Sequence, residues 1–202
     1  ILWNFAAQIK KSYNMKKVIF GLIAIAAISF SFSSGILDGE KQVKSSKVVW
    51  KGYKVLGSHE GTLNLTSGSL TFDNEILTGG EFVLDVTSIS CTDLEGESKG
   101  QLEGHLKSDD FFGVEAYPTA ALKMKKVKSS GKNSYTVTAD FTMKDVTKEI
   151  EFEASIYGNK ASASLKIDRT DYNVKYGSES FFGELKDSAI YDEFDIVIDL
   201  EF

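Results

Sequence analysis

His105-Leu-Lys-Ser-Asp-Asp-Phe-Phe112, followed closely by Tyr117-Pro118-Thr119-Ala120, divides this chain into two strand-rich halves. Pro118 is the only proline in 202 residues, so the break it makes is placed rather than incidental. Just ahead of it, Ser98 to Asp110 reads as the one helical segment, with Leu102 and Leu106 spaced to share a face. On either side, apolar residues recur at every second position, the period of a strand with one buried face.

Working outward, Val48, Trp50 and Gly52 fall on one side of a first strand. Gly61, Leu63 and Leu65 then group together, and after them Gly68, Leu70 and Phe72. Asp73-Asn74-Glu75 is a turn signal before Gly80, Phe82, Leu84 and Val86. Beyond Pro118 the alternating sets run through Leu122 and Met124; Tyr135 to Phe141; Ile150 to Ile156; Ala163 to Ile167; and Phe194 to Phe202. The links at Ser129–Asn133 and Tyr157–Lys160 are short and hairpin-like. No internal repeat or linker divides the domain. Roughly eight short strands, one helix and no βαβ rhythm predict an all-β antiparallel barrel or sandwich, and alternation alone does not choose between them. Gly52, Gly61, Gly68 and Gly80 fall on inward faces, consistent either with curvature or with internal space.

Hydrophobic content of 42% and charged content of 26% fit a globular protein and exclude general disorder. Val18 to Phe30, behind Lys16 and Lys17, is too short to span a bilayer comfortably and reads as the h-region of a secretory signal peptide. Met15 is then the expected start, with cleavage near Ser33 or Ser34, so residues 1–34 form a leader. No cysteine follows the h-region to carry a lipid anchor, which predicts a periplasmic or secreted protein. The leader holds Lys10, Lys11, Lys16 and Lys17 and no acid, so without it 19 basic residues face 29 acidic ones, a net charge of −10. That balance argues against nucleic acid as a partner and against adsorption to anionic membranes. Cys91 is alone, so no internal disulfide is expected.

Four ordered segments resemble the YceI-like, polyisoprenoid-binding family: the stretch quoted at the outset; Asp140 to Lys148; Ile167 to Gly177; and the opening Val49-Trp50-Lys51-Gly52 with His59-Glu60-Gly61. The resemblance covers Ser46 to Phe202. It implies an extended, eight-stranded, lipocalin-like antiparallel barrel with one short flanking helix. The implied interior is an apolar tunnel for a polyisoprenoid or other long-chain amphipathic lipid, such as a quinone or prenyl carrier. The bulky groups expected to bind it are Trp50, Phe72, Phe82, Leu84, Phe111, Phe112, Phe141, Phe152, Ile167, Tyr172 and Tyr176, with Phe111-Phe112 and Tyr172 to Tyr176 at the entrance. Arg169 has two readings: a clamp on a headgroup at the mouth, or one half of an Arg–Asp pair pinning strand to loop, the latter favoured. Ala139 and Lys148-Glu149 depart from the family's usual glycine and proline, at what the alternation reads as a strand edge.

Polar constellations for catalysis are sparse. His59 and His105 lack tight metal spacing with Asp109 or Asp110, and His105, Ser108 and Asp109 sit too close in sequence for a relayed triad. Cys91, followed by Thr92-Asp93, has no cationic neighbour to activate it. The expectation is a binding protein with no catalytic residue, metal or cofactor, making at most transient membrane contact. Lys144 to Lys148 reads as a polar corner. The alternating end Phe194 to Phe202 also resembles an outer-membrane assembly signal, which keeps an integral membrane barrel as the first alternative and a hydrolase or metal enzyme using His105 as the second, and a seam there would admit a homodimer.

Overall fold

The predicted alternation becomes nine antiparallel strands in the computed structural model, which describes residues 37–183 and 185–202. The leader assigned to residues 1–34 lies outside the described residues. Strands β1 (Gly39–Gln42), β2 (Ser45–Lys54), β3 (Gly57–Asp73) and β4 (Ile76–Cys91) precede helix α1 (Gly96–Lys107). After it come β5 (Thr119–Gly131), β6 (Ser134–Met143), β7 (Val146–Tyr157), β8 (Lys160–Asp168), a four-residue helix α2 (Glu179–Phe182) and β9 (Ile190–Glu201). Strands β2, β9, β8, β7, β6, β5, β4 and β3 pair in that order, and β3 closes on β2, giving an eight-stranded barrel. Short β1 extends the far end of β3, with Gly39 opposite Phe72. Closure settles barrel against sandwich. The helix forms two residues earlier than the expected Ser98 and stops at Lys107, leaving Ser108 to Asp110 to the turn, and α2 is an addition the alternation did not signal.

The strands are longer than the sequence reading made them. The two groups Gly61–Leu65 and Gly68–Phe72 belong to one strand of 17 residues, and the change of phase between them is a register shift at Leu65/Ser67. A second shift opposite Thr62/Asn64 carries β4 on from Val86 to the buried Ile89 and Cys91. The first shift leaves one extra residue in β3 and the second three in β4; either odd number flips the inward set from odd to even positions or back, and bends the strand as closure requires. Several hairpins are two-residue turns: Asn74 and Glu75 (φ 48° and 68°) join β3 to β4, and Lys144 and Asp145 (φ 50° and 58°) join β6 to β7. Left-handed conformations at both positions match the right-handed twist of the flanking strands. Ala139 and Lys148-Glu149 lie within paired strands, so the departures noted there touch no turn.

Glycines on the inward faces make room for neighbouring side chains. A Cβ on Gly61 would stand 1.8 Å from the Ser90 carbonyl oxygen and 2.7 Å from the Trp50 indole nitrogen. A Cβ on Gly68 would meet the Phe82 ring at 2.6 Å. The space these glycines leave is therefore filled by Trp50 and Phe82.

Outward positions decide the solvent. On β6 they are Thr136, Thr138, Asp140 and Thr142; on β7 they are Glu149, Glu151 and Glu153. A barrel crossing lipid needs an apolar exterior around a polar lumen, the reverse of this arrangement. The terminal Phe202 is consumed inside, buried and stacked on Phe72 with ring centroids 5.4 Å apart. Strand β9 pairs with β2 on one side and β8 on the other, so it offers no free edge to a second copy.

Candidate functional site

The segment between α1 and β5 closes one end of the barrel. The Ser108 carbonyl accepts from Phe111 N and Gly113 N, and Val86 N donates to the Pro118 carbonyl, so the chain folds sharply back before β5 begins. This turn drives Phe111 and Phe112 inward, edge to face with centroids 5.0 Å apart. Lys144, in the β6–β7 turn, donates from Nζ to the Phe111 carbonyl at 2.7 Å. Burial holds its ammonium below the ordinary lysine range. The polar corner expected there thus clamps the aromatic lid. Glu103 of α1 accepts from Ser90 Oγ and Cys91 N at 2.9 and 2.8 Å, tying the helix to the end of β4.

Beneath this lid lies a cavity of about 220 Å³, lined by Trp50, Leu84, Phe111, Phe112, Phe141 and Arg169 among others. A second chamber of about 50 Å³ lies further along the barrel, against Phe82, Phe152 and residues beside the β7–β8 hairpin. Leu84, Phe141 and Ile196 border both, so these three side chains form a septum between the chambers.

Four of the expected site residues stand outside both linings. Phe72 is taken up in its stack with Phe202, and Ile167 is packed in the core of β8. Tyr172 is buried behind Phe141, edge to face at 5.5 Å, and burial followed by Asp171 and Asp168 pushes its hydroxyl up to about 12. Tyr176 is half exposed, its ring 4.4 Å from that of His105. Conversely, Leu63, Val86, Ile89, Leu102 and Phe194 line the larger chamber without having been singled out. The α1 face was legible in the Leu102–Leu106 spacing; Ile89 was hidden by the phase change in β4.

Arg169, although it borders the cavity, is committed to the protein. Its guanidinium donates to the Val174, Ile190 and Tyr191 carbonyls at 2.7, 2.9 and 3.1 Å, and reaches Asp192 at 3.5 Å. It lies over the Phe111 ring, 5.6 Å from the centroid. Burial lowers its pKa, and Asp192 and Asp168 oppose that. These bonds tie the loop after β8 to the start of β9, with carbonyls as the main partners and Asp192 as the acid, where the sequence pointed to the neighbouring Asp168 and Asp171. No triad assembles at His105, because Ser108 Oγ donates to the His105 carbonyl at 2.8 Å rather than to the imidazole. Among the described residues, His105 Nε2 is buried and finds no hydrogen-bond partner.

The YceI-like domain family matches residues 40–202, the whole barrel. The chain belongs to the YceI-like family. Among its relatives, the UPF0312 protein plu2095 of Photorhabdus laumondii is 30% identical over 178 residues, covering 80% of this chain and 88% of that protein. The Burkholderia cenocepacia BcnA crystal structure superposes with a TM-score of 0.61 at 24% identity, over 77% of this chain and 94% of that one. A polyisoprenoid binding domain from Saccharophagus degradans superposes with a TM-score of 0.56 at 14% identity, over 81% and 98%. At these identities the two structures establish the shared barrel fold.

Proposed function

We propose that this protein is an exported, non-enzymatic carrier that holds an isoprenoid-type amphipathic lipid, such as a quinone or prenyl carrier, inside the barrel. The observation that carries this reading is the apolar cavity of about 220 Å³ and the second apolar chamber that shares Leu84, Phe141 and Ile196 with it. An apolar cavity of about 150 Å³ stays dry and accepts benzene, so the first chamber has room for about two isoprene units. A longer tail reaches the second chamber by swinging the septum side chains aside. Burial contributes about 0.8 kcal/mol per methylene, so a few isoprene units offset association costs without a hydrogen bond. His105 Nε2, unpartnered on a side chain of the cavity wall, suits an oxygen of the lipid headgroup. Membership of the YceI-like family, and the polyisoprenoid binding domain among its structural neighbours, support the same reading. The predicted signal peptide supports a periplasmic or secreted location.

Mass spectrometry of an organic extract of the purified protein, beside its native mass, tests the reading. A co-purifying prenyl or quinone lipid is the expected result. An empty, folded barrel that also refuses added prenols and quinones overturns it. The mass of the exported chain checks the location, with an N-terminus near Ser33 or Ser34 expected.

A further inference from the structure

Three donor atoms of different chemistry converge where β3 runs beside the end of β4. The register sets Gly61 opposite Cys91, and Thr92 N donates to the Glu60 carbonyl, which brings His59 across from Asp93. The two are 34 residues apart in sequence, and His59 Nδ1 lies 3.1 Å from Asp93 Oδ2. Cys91 Sγ lies 2.8 Å from Asp93 Oδ1. The imidazole nitrogen, the thiol sulfur and a carboxylate oxygen all fall within 4.8 Å of one another.

From this geometry we propose that His59, Cys91 and Asp93 form a binding site for a divalent metal ion of zinc type. One nitrogen, one sulfur and one oxygen make a mixed donor set that suits zinc rather than magnesium or calcium, which take oxygen ligands. Zinc bonds of 2.0 to 2.3 Å in tetrahedral geometry place ligand atoms about 3.5 Å apart. The cluster needs to contract by only about an ångström to meet that spacing. His59 and Asp93 can supply the movement, since their side chains keep 26% and 30% of their exposure. Cys91 is the fixed member: its side chain is fully buried, and its backbone N–H is held by Glu103.

Without metal, the Cys91 thiol donates to Asp93, and the His59–Asp93 contact takes a second proton if the tautomer carries it on Nδ1. As the ion enters, the thiol proton leaves to solvent while the S–metal bond forms, and the neutral imidazole binds through Nδ1 with its one proton on Nε2, a proton carried on Nδ1 beforehand passing to Nε2 through solvent. Three protein ligands leave a fourth position open, the pattern of exchangeable rather than purely structural zinc sites. His59 also borders the lipid cavity, so an exogenous ligand at the fourth position has two approaches, from solvent and from the barrel interior.

The test uses the reduced, chelator-treated protein, titrated with Zn²⁺ against a chromophoric chelator and separately with Co²⁺ followed by absorption. A single ion per chain, with a sulfur-to-cobalt charge-transfer band in the near ultraviolet, is expected. Cys91→Ser, His59→Gln and Asp93→Asn each weaken zinc binding more than tenfold, and zinc raises the melting temperature of the parent but not of the variants. Circular dichroism of the metal-free variants checks that they fold. Should Cys91→Ser fail to fold, the cobalt spectrum of the parent decides alone. Absence of uptake, uptake without the charge-transfer band, or affinity unchanged in the folded variants overturns the site.

Discussion

Replacing Phe141 with alanine removes the largest member of the septum and fuses the two chambers. Phe141 is only 1% exposed and borders both cavities. Truncating such a phenylalanine costs about 3–5 kcal/mol, against a total stability of about 5–15 kcal/mol, so the variant folds but melts about 10 °C lower. Its guest gains what its stability loses. On the proposed reading, each isoprene unit past the second must turn Phe141 away from Tyr172 in the parent, so increments in affinity should shrink with chain length. In Phe141→Ala a third unit finds open apolar space. Five carbons at about 0.8 kcal/mol give a gross gain near 4 kcal/mol, of which about half survives the ordering of the tail. A gain of about 2 kcal/mol is roughly thirtyfold in affinity. Calorimetric titration with prenols of two, three and four units measures it, and bound prenol should restore much of the lost melting temperature. Parallel chain-length profiles for parent and variant would refute the septum and the placement of the tail. Leu84→Ala, on the same partition, should move the profile in the same direction by a smaller amount.

Arg169→Met leaves the Val174, Ile190 and Tyr191 carbonyls without their charged donor. A loss of about 3 kcal/mol in urea unfolding is expected, with affinities for a prenol and for a hydrocarbon of equal length falling together. Selective loss of the prenol would instead make Arg169 a headgroup clamp. Gly61→Ala forces a Cβ to within 1.8 Å of the Ser90 oxygen unless the strands part. The denaturation midpoint should drop by more than about 2 kcal/mol equivalent, and an unchanged midpoint would contradict the β3–β4 packing. Tyr53 donates to Asp195 Oδ2 at 2.6 Å, and Lys166 joins them at 3.1 Å. Burial raises the Asp195 carboxyl, but these two donors outweigh it and leave it below the ordinary carboxylate range. The resulting stability is whole above the unfolded value near 4 and is lost as pH falls through the depressed folded value. Tyr53 itself is raised, first by its bond to Asp195, so its share is whole below about 10 and is lost as pH climbs through the raised value. Tyr53→Phe should lower the neutral plateau by about 1 kcal/mol and flatten both arms of the stability–pH curve; unchanged arms would refute the coupling.

Strands, their faces and the single long helix were legible in the chain because side-chain alternation is a local property of extended backbone. Phe141 and Phe152 show this: both were read as inward, and both border a chamber. The aromatic pair at Phe111-Phe112 was legible too, since a lone proline nearby announces the turn that aims it inward. Ile89 and the continuity of β3 were not, because an odd number of inserted residues reverses the phase and only pairing with the neighbouring strand shows where they sit. Nor could alternation separate Phe72, spent on Phe202, from Trp50, which faces the cavity: both occupy inward positions, and only closure of the barrel decides which inward group meets another and which meets open space. The same holds for polar chemistry. Nothing in the spacing of His59, Cys91 and Asp93 relates the first to the other two; the β3–β4 register does. By itself the sequence determined which residues turn inward within each unbroken stretch of strand, because that depends on neighbours one and two positions away. The tertiary structure alone decided what those residues meet, because contacts across a barrel depend on register, bulges and closure, which join positions far apart in the chain.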